Sequence, residues 1–105
     1  MTHAVNDAAQ DELIKVVIFK GAGRVFSAGH KMEDFGLWYG FSRDKNMRKE
    51  TQEFKLRRDW EMSEFWRLLY YYPKVTIAQV NGLAIGGGLY LTIVSITVAG
   101  ESAIF

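Results

Sequence analysis

The sequence predicts an α/β fold with a mainly parallel sheet, and three patterns carry that prediction. Apolar, β-branched runs at residues 14–20 and 75–80 each lead into a glycine-containing turn, as buried strands do. Between them, residues 47–72 form a long charged stretch without Gly or Pro, which favours a helix. Three glycines at residues 86–88 then open an apolar helix. Strands that alternate with helices are typical of parallel sheets with right-handed crossovers.

The first elements follow from local patterns. Residues 1–12 are polar and alanine-rich, so they form at most one short helix, which Asn6 or Asp7 would cap. Residues 14–20 are apolar almost without interruption, which predicts a strand buried on both faces. Residues 21–24 form a turn, and residues 25–35 follow with small side chains in the middle.

The predicted long helix carries a stripe of side chains at spacings of 4, 4, 3 and 4, after an irregular, aromatic stretch at residues 36–46. The stripe consists of Phe54, Arg58, Met62, Phe65 and Leu69. Pro73 ends this helix. A second strand at residues 75–80, a turn at Asn81 and Gly82 and a short extended piece follow. An apolar helix then runs to about Ile96, and residues 96–99 form a third strand.

Composition excludes several classes of protein. The 105 residues are 49% hydrophobic and contain no cysteine, which excludes disulfides, thiolate zinc sites and cysteine nucleophiles. The net charge of +1 lacks the basic footprint of a nucleic-acid binder. No segment reaches the ~20 apolar residues of a membrane span, and the N-terminus does not read as a secretory signal. We therefore expect a cytoplasmic protein with no membrane or nucleic-acid partner.

A sheet of three strands is small for faces this apolar. We expect one domain over residues 1–105 that is a piece of a longer protein, with apolar surface left exposed. In particular, we expect this chain alone to leave five apolar side chains exposed, namely Val16, Ile18, Ile77, Ile93 and Val98.

Two glycine clusters offer backbone N–H groups to a ligand. Neither fits a phosphate loop or a dinucleotide fingerprint, since Phe26 stands where the third glycine of G-x-G-x-x-G belongs. The triplet at residues 86–88 allows close approach of a ligand, although it also allows close helix–strand packing. The cluster at residues 26–30 offers a second set of donors. One donor from each cluster at a shared carbonyl oxygen would make an oxyanion hole.

These clusters lie in longer motifs that resemble one family. Residues 14–30 read IKVVIFKGAGRVFSAGH, like the crotonase superfamily pattern of a strand, Gly-x-Gly and Phe-Ser/Ala-Ala-Gly-x-Asp. Residues 73–88 read PKVTIAQVNGLAIGGG, like its Asn-Gly-x-Ala-x-Gly-Gly-Gly motif, and residues 99–105 read AGESAIF. The sequence therefore resembles the enoyl-CoA hydratases and isomerases over residues 14–35 and 73–105.

The resemblance implies a spiral of ββα units that assembles into homotrimers or hexamers and acts on acyl-CoA. It implies that the backbone N–H groups of Ala28 and Gly87 bind the thioester carbonyl and stabilise enolate charge. No cofactor or metal is implied, because CoA is part of the substrate. The residues that it places in contact with substrate are Ser27, His30, Lys31, Leu83 and Gly86. Surface positions for His30 and for Lys31, which replaces the family's aspartate, are the alternatives.

Tyr90 replaces the acid/base glutamate of the family's hydratases. A phenol ionises only at about pH 10, so at neutral pH a tyrosine donates a hydrogen bond or a proton rather than accepting one. Lyase, isomerase, hydrolase, decarboxylase and dehydratase reactions remain open, with Glu33 or Asp34 as other candidate bases. A non-catalytic CoA-thioester-binding or structural member is the alternative, and a pure interaction domain ranks third. Trp60, Trp66 and residues 70–72 are expected in the core or the wall of an acyl pocket.

Overall fold

The computed structural model describes residues 1–31 and 51–105, and within them the chain runs through three helices and five strands. In chain order these are α1 (Thr2–Gln10), β1 (Val16–Lys20), β2 (Val25–Ser27), α2 (Gln52–Tyr70), β3 (Val75–Val80), β4 (Leu83–Ala84), α3 (Gly87–Ile93) and β5 (Ile96–Ala99). Strands β1 and β2 precede α2, and strands β3 and β4 precede α3.

Equivalent strands of successive passes pair in parallel. Strand β3 lies between β1 and β5 in one sheet, with Val16 opposite Val75 and Ile77 opposite Ile96. Strand β2 pairs with β4 in a second sheet, where Leu83 also bridges Ile104. Within residues 1–31 and 51–105 the pattern strand–strand–helix occurs twice, and each strand lies beside its counterpart from the next pass. This arrangement confirms the predicted α/β class and the spiral of ββα units.

Helix α2 starts at a side-chain cap. The Thr51 hydroxyl accepts a hydrogen bond from the backbone N–H of Phe54 at 3.2 Å, which satisfies one of the donors that a helix start leaves unpaired. Burial then increases along the predicted stripe, from Phe54 at 53% exposure to Leu69 at 2%. The C-terminal half of α2 is thus the part that packs on the sheets.

The core lies on one side of the larger sheet. Among the described residues, its buried side chains come from α1, α2, α3 and three of the strands, and they are Val5, Phe26, Leu69, Ala78, Val80, Ala84 and Leu91. Two polar contacts attach α1 to this core. The Tyr72 hydroxyl donates to the carbonyl of Val5 at 2.6 Å, and the Lys74 ammonium donates to the carbonyls of Ala8 and Asp11.

The prediction that the strand at residues 14–20 is buried on both faces is wrong. Side chains alternate between the two faces of a strand. On one face of β1, Val16 is 43% exposed and Ile18 is 56% exposed. Val98 on β5 is 55% exposed and Ile93 on α3 is 68% exposed, whereas Ile77 on the central strand is half-buried. The core cluster covers only the opposite face. The predicted exposure of apolar side chains is confirmed for four of the five residues, namely Val16, Ile18, Ile93 and Val98.

Several boundaries differ from prediction. Helix α2 begins at Gln52 after the Thr51 cap and ends at Tyr70, whereas residues 47–72 were predicted as helix. Helix α1 begins at Thr2 behind Met1, so neither Asn6 nor Asp7 caps it. Strand β1 begins at Val16, two residues later than predicted. Helix α3 ends at Ile93 because the next residues turn into β5, where Ile96 pairs with Ile77.

Some predictions fall on residues that the structure does not describe. These are the irregular stretch at residues 36–46, residues 47–50 before α2 and the candidate bases Glu33 and Asp34. Among the helices at residues 2–10, 52–70 and 87–93, none combines the length and apolarity of a membrane span.

Candidate functional site

The two predicted glycine clusters meet in the structure. The carbonyl of Ser27, at the end of β2, accepts a hydrogen bond from the N–H of Ile85 at 3.0 Å. Beyond that bond the backbones touch: a Cβ built on Gly86 would lie 3.4 Å from the Cα of Gly29, and one built on Gly29 would lie 3.6 Å from the nitrogen of Gly87. The loop after β2 and the start of α3 therefore form one surface.

Each glycine of the triplet has a different structural role. Gly86 has a φ of 55°, a left-handed conformation that side-chain-bearing residues rarely adopt. A Cβ on Gly88 would lie 2.5 Å from the Cβ of Ser27, so close packing of α3 on β2 requires this glycine. Gly87 has room, because a Cβ there would make only ordinary contacts at 3.7–3.9 Å with His30 and Trp66. Packing thus explains Gly88, and it leaves Gly87 open to another role.

The backbone N–H groups of Ala28 and Gly87 are both available to a ligand. Gly87 is the first residue of α3, and the first N–H groups of a helix have no partner within it. Ala28 follows the last residue of β2. Within residues 1–31 and 51–105, no group accepts a hydrogen bond from either N–H.

Both residues line one cavity, which we call the donor cavity. It has a volume of ≈ 410 Å³ and opens toward solvent between α2 and α3. Its lining within the described residues is Ala28, Gly29, His30, Met62, Trp66, Ile85, Gly86, Gly87 and Tyr90. The structure thus brings together five of the residues that the sequence analysis named, namely Ala28, His30, Gly86, Gly87 and Tyr90.

Tyr90 stands on α3 at the wall of this cavity. Its side chain is 57% exposed, and its ring lies against the indole of Trp66 with the centroids 5.3 Å apart. The position in the first turn of α3 places it near Gly87, as predicted. The described part of the cavity wall contains no carboxylate.

A second cavity shares part of its lining with the first. This adjoining cavity measures ≈ 310 Å³ and extends toward the start of α1. It is lined by Met1, Thr2, Ser27, Gly29, His30, Met62, Phe65, Trp66, Gly87 and Leu91. Five of these residues also line the donor cavity, so the two spaces share a wall. Ser27 lies only on the adjoining side, where its Oγ accepts a hydrogen bond from the N–H of Gly29 at 3.3 Å.

Two predicted contacts lie outside both cavities. Lys31 is exposed beyond the loop. Leu83 pairs with Val25 in the smaller sheet and bridges Ile104, so it lies within the sheet rather than at either cavity. Their contact with substrate stays a prediction. Within the described residues, no three His, Asp or Glu side chains cluster as metal ligands would.

The contribution of α2 was only partly visible in the sequence. Met62 and Phe65 belong to the predicted helix stripe, and Trp66 was expected in the core or an acyl-pocket wall, yet none was named as a site residue. The stripe indicates which side of a helix faces the protein. It does not indicate that the facing surface encloses a cavity.

The whole chain is similar to one sequence family. The family model described as enoyl-CoA hydratase/isomerase matches residues 1–105. A hydroxycinnamoyl-CoA hydratase-lyase from Pseudomonas fluorescens is 32% identical over 84% of this chain and 29% of its own length. A probable enoyl-CoA hydratase from Mycobacterium bovis is 33% identical over 100% of this chain and 35% of its own.

Solved structures agree with the sequence comparison. An enoyl-CoA hydratase from Shewanella pealeana superposes with a TM-score of 0.82 at 27% identity, covering 97% of this chain and 36% of that one. An enoyl-CoA hydratase from Polaromonas superposes with a TM-score of 0.78 at 26% identity, covering 96% and 36%. The chain thus spans about a third of the length of these relatives.

Proposed function

The chain belongs to the enoyl-CoA hydratase/isomerase family, and from this premise we propose that it binds an acyl-CoA thioester through the N–H groups of Ala28 and Gly87. The observation that supports this most strongly is that both residues line the donor cavity, with neither N–H bonded to a described residue. A thioester carbonyl oxygen placed between them would accept a hydrogen bond from each.

Such an arrangement favours reactions that pass through an enolate. When a proton leaves the carbon next to the thioester carbonyl, negative charge develops on the carbonyl oxygen. Fixed backbone donors stabilise that charge without reorganising, which lowers the barrier relative to water. The apolar wall formed by Met62, Trp66 and Ile85 would strengthen this effect, because apolar surroundings lower the local dielectric constant.

Tyr90 sets the proposed reaction apart from hydration by two carboxylates. The crotonase resemblance assigns this position to a glutamate in hydratases, whereas a phenol donates at neutral pH. We propose that the Tyr90 hydroxyl donates a proton or orients a leaving group while a base elsewhere removes the proton. Lyase, isomerase and hydrolase reactions are all compatible with that role. One similar protein, from Pseudomonas fluorescens, is named as a lyase as well as a hydratase.

A non-catalytic member that holds CoA thioesters is the second candidate function. It is favoured by the absence of a carboxylate from the described lining of the donor cavity. Assembly into trimers or hexamers and residence in the cytoplasm belong to the same proposal, since both follow from the family resemblance and the composition.

Calorimetry with butanoyl-CoA and free CoA, followed by turnover assays, tests this proposal. We expect butanoyl-CoA to bind at least about 10-fold more tightly than CoA, because the carbonyl gains two hydrogen bonds and the acyl chain is buried. Equal affinities would contradict an acyl site. Turnover of any acyl-CoA in a panel supports the enzyme, and tight binding with no turnover supports the second candidate.

A further inference from the structure

Two short strands carry the two proposed hydrogen-bond donors. Ala28 directly follows β2, and Gly87 lies just beyond β4 at the start of α3. The spacing of their N–H groups therefore depends on the register of β2 against β4. Successive residues of a strand are about 3.3 Å apart, so a shift of one residue would displace one donor by more than a hydrogen bond tolerates.

The pairing of β2 with β4 is short and irregular. Val25 lies opposite Leu83, and Ser27 lies opposite the very next residue of β4, so β2 uses three residues where β4 uses two. The extra residue is Phe26, whose side chain is buried in the core. A bulge of this kind disrupts the ladder of hydrogen bonds that normally fixes a register. The strands alone thus hold the donors less firmly than a regular ladder would.

Asn81 links the segments that precede the two strands. Its side-chain Nδ2 donates a hydrogen bond to the carbonyl of Gly23, in the turn before β2, while Asn81 itself lies just before β4. The neighbouring backbones are in direct contact, since a Cβ built on Gly82 would lie 1.9 Å from the carbonyl oxygen of Arg24. The Asn81 amide therefore ties β2 to β4 at the ends of these strands that are opposite to the donors.

Stability alone does not account for Asn81. Its Oδ1 is buried, and within residues 1–31 and 51–105 no group donates a hydrogen bond to it. A buried oxygen without a donor costs at least as much free energy as a typical hydrogen bond contributes, so the gain at Nδ2 is offset at Oδ1. The main consequence of the amide is then the link between the two strands.

We propose that Asn81 is a positioning residue for the carbonyl site, because it fixes the spacing of the N–H groups of Ala28 and Gly87. The inference rests on the proposed function, in which both N–H groups bind one thioester oxygen. Asn81 lines neither cavity, so it acts through β2 and β4 and not by contact with a ligand. Without the amide these strands move relative to each other, and the carbonyl loses one well-aligned hydrogen bond.

Calorimetry with free CoA and butanoyl-CoA on the 105-residue chain tests this role. The measured quantity is the ratio of the dissociation constant of free CoA to that of butanoyl-CoA, because free CoA has no thioester carbonyl. In Asn81→Ala this ratio is expected to fall by about 3- to 10-fold, the effect of losing one hydrogen bond. Asn81→Asp keeps the shape of the side chain, but its carboxylate has no N–H to donate, so the ratio is expected to fall as far.

Ser102→Ala is the matched control. The Ser102 hydroxyl donates to the backbone carbonyl of Asn81 at 3.3 Å, so this variant also removes one side-chain hydrogen bond at the same residue. It leaves the bond from Asn81 to Gly23 in place, and the ratio is expected to stay at the native value. Circular dichroism checks that each variant is folded.

Three results would overturn this inference while leaving the proposed function intact. One is a native ratio in both Asn81 variants. Another is an equal fall of the ratio in Ser102→Ala, which would indicate general loosening of the chain. The third is a fall in Asn81→Ala alone, which would indicate lost packing and not a lost hydrogen bond. If butanoyl-CoA bound the native chain no more tightly than free CoA, the proposed function would fail, and this inference would fail with it.

Discussion

The indole of Trp66 and the phenol ring of Tyr90 lie with their centroids 5.3 Å apart and their planes inclined by 37°. The contact joins α2 to α3 at the wall of the donor cavity. It gives the ring of Tyr90 a packing role that is independent of its hydroxyl. The two roles can therefore be separated by a substitution that removes only the oxygen.

Tyr90→Phe tests the hydroxyl. The variant keeps the ring against Trp66, so acyl-CoA affinity should change by less than about 3-fold. If the hydroxyl donates a proton during the reaction, turnover of the acyl-CoA substrate should fall by roughly 100-fold or more. Steady-state kinetics on a panel of acyl-CoA thioesters measures both quantities. The panel should include crotonyl-CoA, which we expect the native protein to hydrate poorly.

Tyr71→Phe is the matched control, because Tyr71 is 74% exposed and lines neither cavity. It removes the same atom and should leave turnover unchanged. Unaltered turnover in Tyr90→Phe would show that Tyr90 serves only in packing. Rapid hydration of crotonyl-CoA by the native protein would refute the proposed proton-donating role of Tyr90.

Alanine at Gly88 should lower the stability of the protein, whereas alanine at Gly87 should weaken acyl-CoA binding. In Gly88→Ala the new Cβ would lie 2.5 Å from the Cβ of Ser27, so overpacking should lower the free energy of unfolding by about 1–3 kcal/mol. In Gly87→Ala the new Cβ makes ordinary contacts, so the free energy of unfolding should change little, but the methyl group narrows the donor cavity and should weaken acyl-CoA binding. Urea denaturation and calorimetry measure the two effects. Equal losses of stability in both variants would contradict the different roles of the two glycines.

The contact between Tyr72 and Val5 should make stability depend on pH. Partial burial raises the pKa of the Tyr72 phenol, and the protonated hydroxyl donates to the Val5 carbonyl at 2.6 Å. Because the pKa is higher in the folded state, this contribution is complete below about pH 10 and is lost as the pH rises through the folded-state value. Tyr72→Phe should cost about 1 kcal/mol at pH 8 and flatten the decline in stability above pH 10. Urea midpoints at pH 8 and pH 11 test it, and an unchanged decline in the variant would contradict this role.

Local sequence patterns predicted most elements of the fold, since apolar runs and glycines specify strands and turns. They could not predict one-sided burial of β1, because Val16 and Ile18 are as apolar as residues of a strand covered on both faces. The length of α3 was overestimated because Ile96 fits an apolar helix as well as the strand that tertiary pairing selects.

In the site, too, local motifs identified some residues, whereas others depend on tertiary contacts. Motif resemblance placed Ala28, Gly87 and Tyr90 together, and the structure has them around one cavity. The sequence could not show that Trp66 lines both cavities. Its position depends on contacts with rings 5.1 and 5.3 Å away, one of them on a helix that begins 21 residues further along the chain.

The proposed carbonyl-binding role of Gly87 can be tested at a single atom. Replacement of the amide that joins Gly86 to Gly87 by an ester removes the N–H of Gly87 and adds nothing to the cavity. No described residue accepts a hydrogen bond from that N–H, and the ester only weakens the Gly86 carbonyl as an acceptor for the Tyr90 N–H at 3.3 Å, so folding should be preserved. The same replacement at Gly23, in a turn where nothing lies within 4 Å of its Cβ position, provides a control.

The decisive measurement is the ratio of the dissociation constants of free CoA and butanoyl-CoA in the Gly87 ester variant, determined by calorimetry. Loss of one hydrogen bond to the thioester carbonyl predicts that this ratio falls by about 3- to 10-fold relative to the native chain. The Gly23 ester should leave it at the native value. A native ratio in the Gly87 ester variant would show that this N–H does not bind the carbonyl, and it would contradict the proposed function at its central point.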